Sequence, residues 1–211
     1  MKIGTTRPPA AKGRHRDAAA TRKAILASAR RAFARAGYDG VGVREIAQGI
    51  GVTAMLINRY FGSKERLFAE VMAETMATPS ILTREILTSP TPGPDLAAAL
   101  VERTKAGALP LDGFLITLHS ASSKRAAKIG RKQIENHHQK VMTAALTGAL
   151  APQRAALVLS LIAGFQVMRQ MLGLSALAEA EPQALVKILG PLFQQLVGGE
   201  QLRGDGLAKG I

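Results

Sequence analysis

Cysteine is absent from the 211 residues. That excludes disulfides, thiolate metal sites and cysteine nucleophiles, and it fits a reducing cytoplasm. Long hydrophobic runs are also missing. The longest nearly pure apolar stretch, Ala155 to Phe165, is bounded by Arg154 and Gln166, well short of the roughly 20 residues that span a bilayer. The N-terminus carries basic residues with no apolar stretch behind them, so it does not read as a secretory signal. Strand alternation and internal repeats are not found. No Ser-His-Asp set, phosphate-binding glycine loop or paired-carboxylate site is evident, so neither an enzyme nor a cofactor is expected. Glu135-x-x-His138 has the spacing of a di-iron half-motif, but no second copy accompanies it and no metal is expected. Aromatic residues are scarce, at 4% of the chain.

Acidic residues are scarce too. Against 28 Lys and Arg stand 15 Asp and Glu, for a net charge of +13. Residues 1–76 carry 14 of the basic residues and 6 of the acids, and within residues 1–36 ten basic residues face the single Asp17. Such a field attracts polyanions, either nucleic acid or an anionic membrane surface, although a basic soluble protein would look the same by charge alone.

The rest of the chain reads as helices. Residues 1–15 carry Gly, two prolines and no apolar period, as in a disordered basic arm. From about Arg16 to Ala36, Ile25, Ala29 and Phe33 recur at four-residue steps on one face of a helix whose other face is Arg-rich. Gly37 stops that helix as a left-handed cap, with Tyr38 folding back as the accompanying apolar contact. Two short helices follow, about Val43–Gln48 and Thr53–Phe61, and Ser63 caps a fourth that runs to about Met76. The proline-rich stretch Thr78 to Pro94 reads as a link. Beyond it helices are expected near Leu96–Gly107, Leu111–Ser122, Lys124–Thr147, Pro152–Leu174 and Pro182–Val197, the last kinked at Gly190-Pro191. Residues 198–211 read as a disordered tail.

The chemistry gathers around Asn58-Arg59-Tyr60-Phe61-Gly62-Ser63-Lys64. Ala47, Gly51 and Ile57 have the spacing of a helix-turn-helix. The small residue lets two helices cross closely, the glycine supplies positive φ in the turn, and the aliphatic side chain closes the packing. With Ile57 inward, steps of 100° put Phe61 on the same side and turn Met55 and Arg59 away, flanked by Leu56 and Asn58. Such a face suits the major groove. Arg grips guanine acceptors, Asn bridges adenine, and apolar groups meet a thymine methyl. Gly62-Ser63 ends this helix and starts the next, whose free amides, with Lys64, form an anion site suited to a phosphate. Tyr60, at the edge, is placed to reach backbone.

The stretch "VREIAQGIGVTAMLINRYFGSKERLF", Val43 to Phe68, resembles the N-terminal region of the TetR family of bacterial transcriptional regulators, with the likeness extending over about residues 17–76. The resemblance implies an all-α fold: a three-helix DNA-binding domain over residues 16–76 and a helical effector-binding and dimerisation domain over 77–197. It implies a homodimer that binds a palindromic double-stranded operator, a small molecule that releases it, and no membrane. It implies DNA contacts at Arg44, Thr53, Ala54, Met55, Leu56, Asn58, Arg59, Tyr60 and Lys64. Many members have glycine where Met55 stands and tyrosine where Asn58 stands, which bears on the operator sequence. The competing reading is a sequence-tolerant architectural DNA binder without an effector.

In the C-terminal part, Phe114, Leu118, His119, Met142, Phe165, Met168 and Arg169 are candidates to line an effector cavity, or are ordinary core and surface. The apolar stripes holding Leu157, Leu161, Met168, Leu185, Leu189, Leu192, Phe193 and Leu196 could form a dimer interface or simply fill a monomer core. His137 and His138 lie among Lys128, Arg131, Lys132 and Lys140, and read as part of a solvated basic face.

Overall fold

The computed structural model describes residues 12–77, 81–108 and 111–199, with side chains of the first helix from residue 18 onward. Twelve α-helices and no strand occur among the described residues. The basic arm and the tail lie mostly outside them, but helix α1 (Lys12–Ala36) begins inside the stretch assigned to the arm. Its stripe of Ile25, Ala29 and Phe33 is fully buried. Gly37 ends it with φ +68°, as the spacing predicts, and Tyr38 stacks back on Phe33 at 6.3 Å between ring centroids. Phe68 meets both rings edge-on, at 5.1 and 5.0 Å. These three aromatics, in a chain with few, make the centre of the first core.

Helices α2 (Val43–Gln48), α3 (Ala54–Phe61) and α4 (Lys64–Met76) complete that core. It does not stop at residue 76, however. Ile116 of α7 (Asp112–Ser120) and Ala126 of α8 (Lys124–Ile134) are buried in it. Two elements from beyond the link therefore pack on the N-terminal unit, and this seam positions everything described below.

The second core belongs to α5 (Arg84–Leu87), α6 (Pro92–Arg103), α9 (Lys140–Ala145), α10 (Ala151–Gln166) and α12 (Pro182–Gly198), with the short α11 (Ser175–Ala178) at its edge. Helix α6 starts four residues earlier than apolar periodicity suggests, because Pro92 and Pro94 occupy a first turn where no amide donor is needed. Gly93 lets α6 cross α12 at backbone distance: a Cβ there would lie 2.6 Å from the Cα of Gln194, and its amide donates to Gln194 Oε1 at 3.0 Å. Helix α12 continues through Pro191. A π-helical turn, Glu135–Gln139, joins α8 to α9, and a second, Val167–Met171, extends α10.

Helix α10 with its π turn runs 21 residues and is apolar enough, by length and composition alone, to cross a membrane. It is longer than the run Ala155–Phe165 indicates because Arg154 and Arg169 are part of it. Both guanidiniums are buried and bonded to backbone carbonyls, an arrangement suited to a core helix.

Candidate nucleic-acid interface

The turn between α2 and α3 is built as its spacing requires. Ala47 and Ile57 are buried, Gly51 has φ +67°, and the Val52 amide donates to the Ala47 carbonyl at 3.1 Å. Ser28 Oγ donates to the Ile46 carbonyl at 2.9 Å and ties this pair of helices to α1. Thr53 caps α3 by accepting from the Leu56 amide at 3.3 Å.

Helix α3 then sorts its residues by face. Ile57 and Phe61 are buried. Met55 is 80% exposed. Asn58, Arg59, Thr53 and Arg44 are exposed as well, while Ala54 and Leu56 are half-buried at the flanks. A methionine that far into solvent at the centre of a helix face is left uncovered by the described residues. Tyr60 is half-buried, packed against the first core, with the Arg59 guanidinium 5.9 Å from its ring centroid. Phe61 anchors the helix and also carries Arg22 5.0 Å from its ring centroid.

Gly62, at φ +78°, turns the chain into α4. Ser63 Oγ accepts from the Arg66 amide at 3.2 Å and caps α4. Lys64 Nζ rests 4.3 Å above the Tyr38 ring. Tyr38 is thus more than a cap contact; it is the shelf on which this ammonium lies. Burial and the nearby Glu65 carboxylate push its phenol above the ordinary value, so the ring stays neutral at physiological pH. Sequence spacing gave no sign of this pairing, since 26 residues separate the two in the chain.

Behind the interface lies a cavity of about 300 Å³. Both units wall it: Arg30 from α1, Thr75 and Met76 from α4, Asp112, Phe114 and Thr117 from α7. The far wall is the stripe Leu159, Ile162, Ala163 and Gln166 of α10, with Ile134 and His138 from the α8 end. Arg30 and Asp112 bridge across the seam, Nε to Oδ2, at 3.0 Å. The nitrogen meets the carboxylate at an angle too poor for a hydrogen bond and is otherwise unpartnered, so the contact is electrostatic.

Of the seven cavity candidates from sequence, Phe114 alone lines this space. His119 faces the α1 seam, with Nδ1 2.7 Å from the Ala34 carbonyl oxygen. Met142 and Phe165 are buried in the second core. Leu118 is half-buried outside the cavity wall. Met168 is exposed, and Arg169 donates to the Val101 carbonyl at 2.9 Å and Thr104 Oγ1 at 3.0 Å. The cause is rotational. The wall takes positions 159, 162, 163 and 166 of α10, and residues 165, 168 and 169 fall off that stripe. His138 corrects the reading of a solvated face. The π turn brings it to the cavity, and burial, with His137 beside it, lowers its pKa from the ordinary 6.5, so it is neutral at physiological pH.

The apolar stripes divide similarly. Leu185, Leu189 and Phe193 are buried within their own chain against α6, which claims that face of α12 through Gly93. Leu161 and Leu196 are half-buried. Leu157, Met168 and Leu192 remain exposed, together with Ile188 at 64%.

An all-helical chain in which a helix-turn-helix presents an exposed second helix, set on a larger helical unit with a cavity at the junction, has the architecture of a DNA-binding regulator. Residues 25–71 match the family described as bacterial regulatory proteins, tetR family, and residues 91–197 match a tetracyclin-repressor-like C-terminal domain. The chain belongs to the TetR family of bacterial regulatory proteins, which are DNA-binding proteins and not enzymes. Over 57 residues it is 40% identical to the HTH-type transcriptional repressors AcnR of Corynebacterium efficiens and Corynebacterium glutamicum, a match covering 27% of this chain and 30% of each relative. The chain thus spans under a third of the length of the curated relatives it matches. Among solved structures it resembles a TetR-family regulator from Streptomyces coelicolor (TM-score 0.53, 23% identity, covering 92% of this chain and 99% of that one). It also resembles NalD, the secondary repressor of the MexAB-OprM multidrug efflux pump in Pseudomonas aeruginosa (TM-score 0.58, 19% identity, 88% and 99%). A third is a transcriptional regulator from Saccharomonospora viridis in complex with choline (TM-score 0.57, 19% identity, 83% and 96%). At these identities the likeness is one of fold.

Proposed function

We propose that the protein is a cytoplasmic transcriptional repressor that binds a palindromic operator as a homodimer and leaves it when a small molecule fills the cavity between its two units. The observation that carries the DNA reading is the exposed face of α3, with Met55, Asn58 and Arg59 in solvent near Lys64 at the start of α4. Asn58 and Arg59 read base edges, Met55 and Leu56 meet apolar base surface, and Lys64 leaves Tyr38 to hold a phosphate, with Tyr60, Thr53, Ala54 and Arg44 at the margins. The repressor sense is supported by the AcnR proteins, whose likeness covers 57 residues of the chain. The exposed Leu157, Ile188 and Leu192 support a second copy packing on α10 and α12. Two recognition helices about one turn of duplex apart then double the contacts.

Selection of bound sequences from a random duplex pool tests this reading directly. A palindrome preferred by about 10³-fold over random DNA is the expected result; affinity indifferent to sequence and lost with salt would leave only an architectural binder. Within that assay Arg59→Ala is expected to cost about 1–3 kcal/mol and to relax preference at one base pair per half-site, whereas Lys64→Ala weakens all sequences alike and flattens the salt dependence. Equal effects of the two changes on every sequence would overturn the division of roles.

The cavity favours a ligand that is mostly apolar and neutral overall, because its one cation and one carboxylate, Arg30 and Asp112, already face each other. Thr117, Gln166 and neutral His138 supply the hydrogen bonds. Ala163→Phe, which fills the cavity, is expected to leave operator affinity within about twofold while raising the effector concentration needed for release at least about tenfold, since lost space removes apolar contact. Effector release unchanged in that variant would place the ligand elsewhere.

A further inference from the structure

Helix α8 gathers charge of one sign beyond what a solvated face needs. Lys124, Arg125, Lys128, Arg131 and Lys132 are all exposed, and α8 contains no acidic residue. At 100° per residue the five fall within an arc of about 120°, opposite the buried Ala126 and Gly130. Helix chemistry works against this arrangement. Lys124 with Lys128, and Lys128 with Lys132, are like-charged neighbours one turn apart. Lys124 and Arg125 occupy a first turn that favours acids. A face that only needed hydration would alternate sign, as ordinary exposed helices do. Among the described residues, Arg125 is the only one of the five in a salt bridge, to Glu65 Oε1 at 2.7 Å.

That bridge fixes where the ridge lies. Glu65 adjoins Lys64 in the first turn of α4, so the ridge begins one side chain away from the anion site proposed at the start of α4. From there α8 runs beside α4 in the same direction, since Arg125 near its start meets Glu65 and Ile134 near its end shares a wall with Thr75 and Met76. At 1.5 Å per residue, Lys128 stands about 6 Å and Lys132 about 12 Å beyond Lys124.

Resting on the proposed DNA-binding role of α3 and α4, we infer that the basic ridge of α8 is a second phosphate-binding surface, which holds the backbone of duplex flanking each operator half-site. Its charge suits any polyanion. Its continuity with the Lys64 site selects the one polyanion already at that site, the same DNA, over an acidic protein or an anionic lipid surface. Contacts of this kind position the duplex without reading sequence. The flanks therefore need only length.

The test compares the selected palindrome as a minimal duplex with the same palindrome carrying about ten random-sequence base pairs on each side. The full-length protein is titrated across salt concentrations, alongside the variant Lys124→Gln/Lys128→Gln/Lys132→Gln. These three side chains point away from the buried face of α8, and circular dichroism checks that the helix content is kept. Wild type is expected to bind the extended duplex more tightly and with a steeper salt slope. The variant should lose about two units of that slope per subunit, or about four per dimer, on the order of 10²-fold in affinity between 50 and 200 mM salt on the extended duplex, with the minimal duplex bound within about twofold of wild type. A wild type indifferent to flanks, or a variant that keeps the full flank gain, overturns the inference while the operator reading stands; a ridge serving an acidic protein or a membrane gives that result. Absence of any palindrome preference on the minimal duplex overturns both.

Discussion

Replacing Arg154 by alanine is expected to destabilise the C-terminal helical unit by about 3–5 kcal/mol and to lower the thermal midpoint by roughly 10 °C or more. The side chain is 2% exposed, among the most deeply buried of the described residues, and none of the salt bridges among them involves it. Its partners are carbonyl oxygens instead: Ala149 at 3.0 Å from Nε, Leu196 and Val197 at 3.0 and 3.2 Å from Nη1, and Thr147 from Nη2. Leu196 and Val197 belong to the last turn of α12, where carbonyls have no intrahelical donor. Thr147 and Ala149 lie in the turn between α9 and α10. One guanidinium therefore closes two loose ends at once, and its charge meets the negative end of α12. Alanine would leave four carbonyls unpaired and a void the size of the lost side chain. Lysine, with a point charge on a flexible stem, cannot reach all four and should recover part of the loss. Urea unfolding measured on wild type, Arg154→Lys and Arg154→Ala gives the order. A loss below about 1 kcal/mol for alanine would mean that water reaches these carbonyls after all.

Arg154 also shows where reading the sequence stops. It was visible as the residue bounding an apolar run, and nothing in its neighbours indicates that α12, over forty residues away, ends against it. The N-terminal unit is different because its determinants are local. Ala47, Gly51 and Ile57 specify the turn by size and backbone freedom, Gly37 and Ser63 mark helix ends, and 100° periodicity sorts α3 into Ile57 and Phe61 inside, Met55 and Arg59 outside. All of these follow from residues within one or two turns of each other.

The cavity depends on which faces of four separate helices converge, and periodicity gives each helix a stripe without saying what it meets. On α10 the stripe chosen from sequence ran through Phe165, Met168 and Arg169, whereas the wall uses Leu159, Ile162, Ala163 and Gln166. On α12 the same ambiguity left Leu185, Leu189 and Phe193 between a dimer interface and a monomer core, and they are buried in the second core. Gly93, which reads as part of the proline-rich link in the sequence, lies inside α6 in the structure and there marks close approach by α12. His138 escaped for another reason. A π turn shifts register by one residue, and no spacing rule anticipates it.

Gly37→Ala is expected to be the second most damaging single change, at about 3 kcal/mol or more, although a methyl group is all it adds. Two costs combine. The residue sits at φ +68°, where an L side chain is strained by about 1 kcal/mol. The added Cβ would also overlap the His119 carbonyl oxygen and lie 2.7 Å from its carbonyl carbon, and backbone cannot swing aside as a side-chain tip can. Around this point the ends of α1 and α7 are fastened twice more, by His119 Nδ1 against the Ala34 carbonyl and by the Tyr38 amide donating to Ser120 Oγ at 2.9 Å. Gly51→Ala separates the two costs, because its φ of +67° is nearly the same while a Cβ there meets nothing within 4 Å. It should lose only the strain, near 1 kcal/mol. The difference between the two variants in urea unfolding measures how tightly the seam is closed. That seam also joins α7, which walls the cavity, to α1, and through Ser28 to α2. A Gly37→Ala protein that still folds should therefore bind operator with an affinity that effector shifts less than in wild type. Equal losses at the two glycines, with effector response intact, would show that α1 and α7 part without cost and that the cavity reaches the recognition helix through α4 alone.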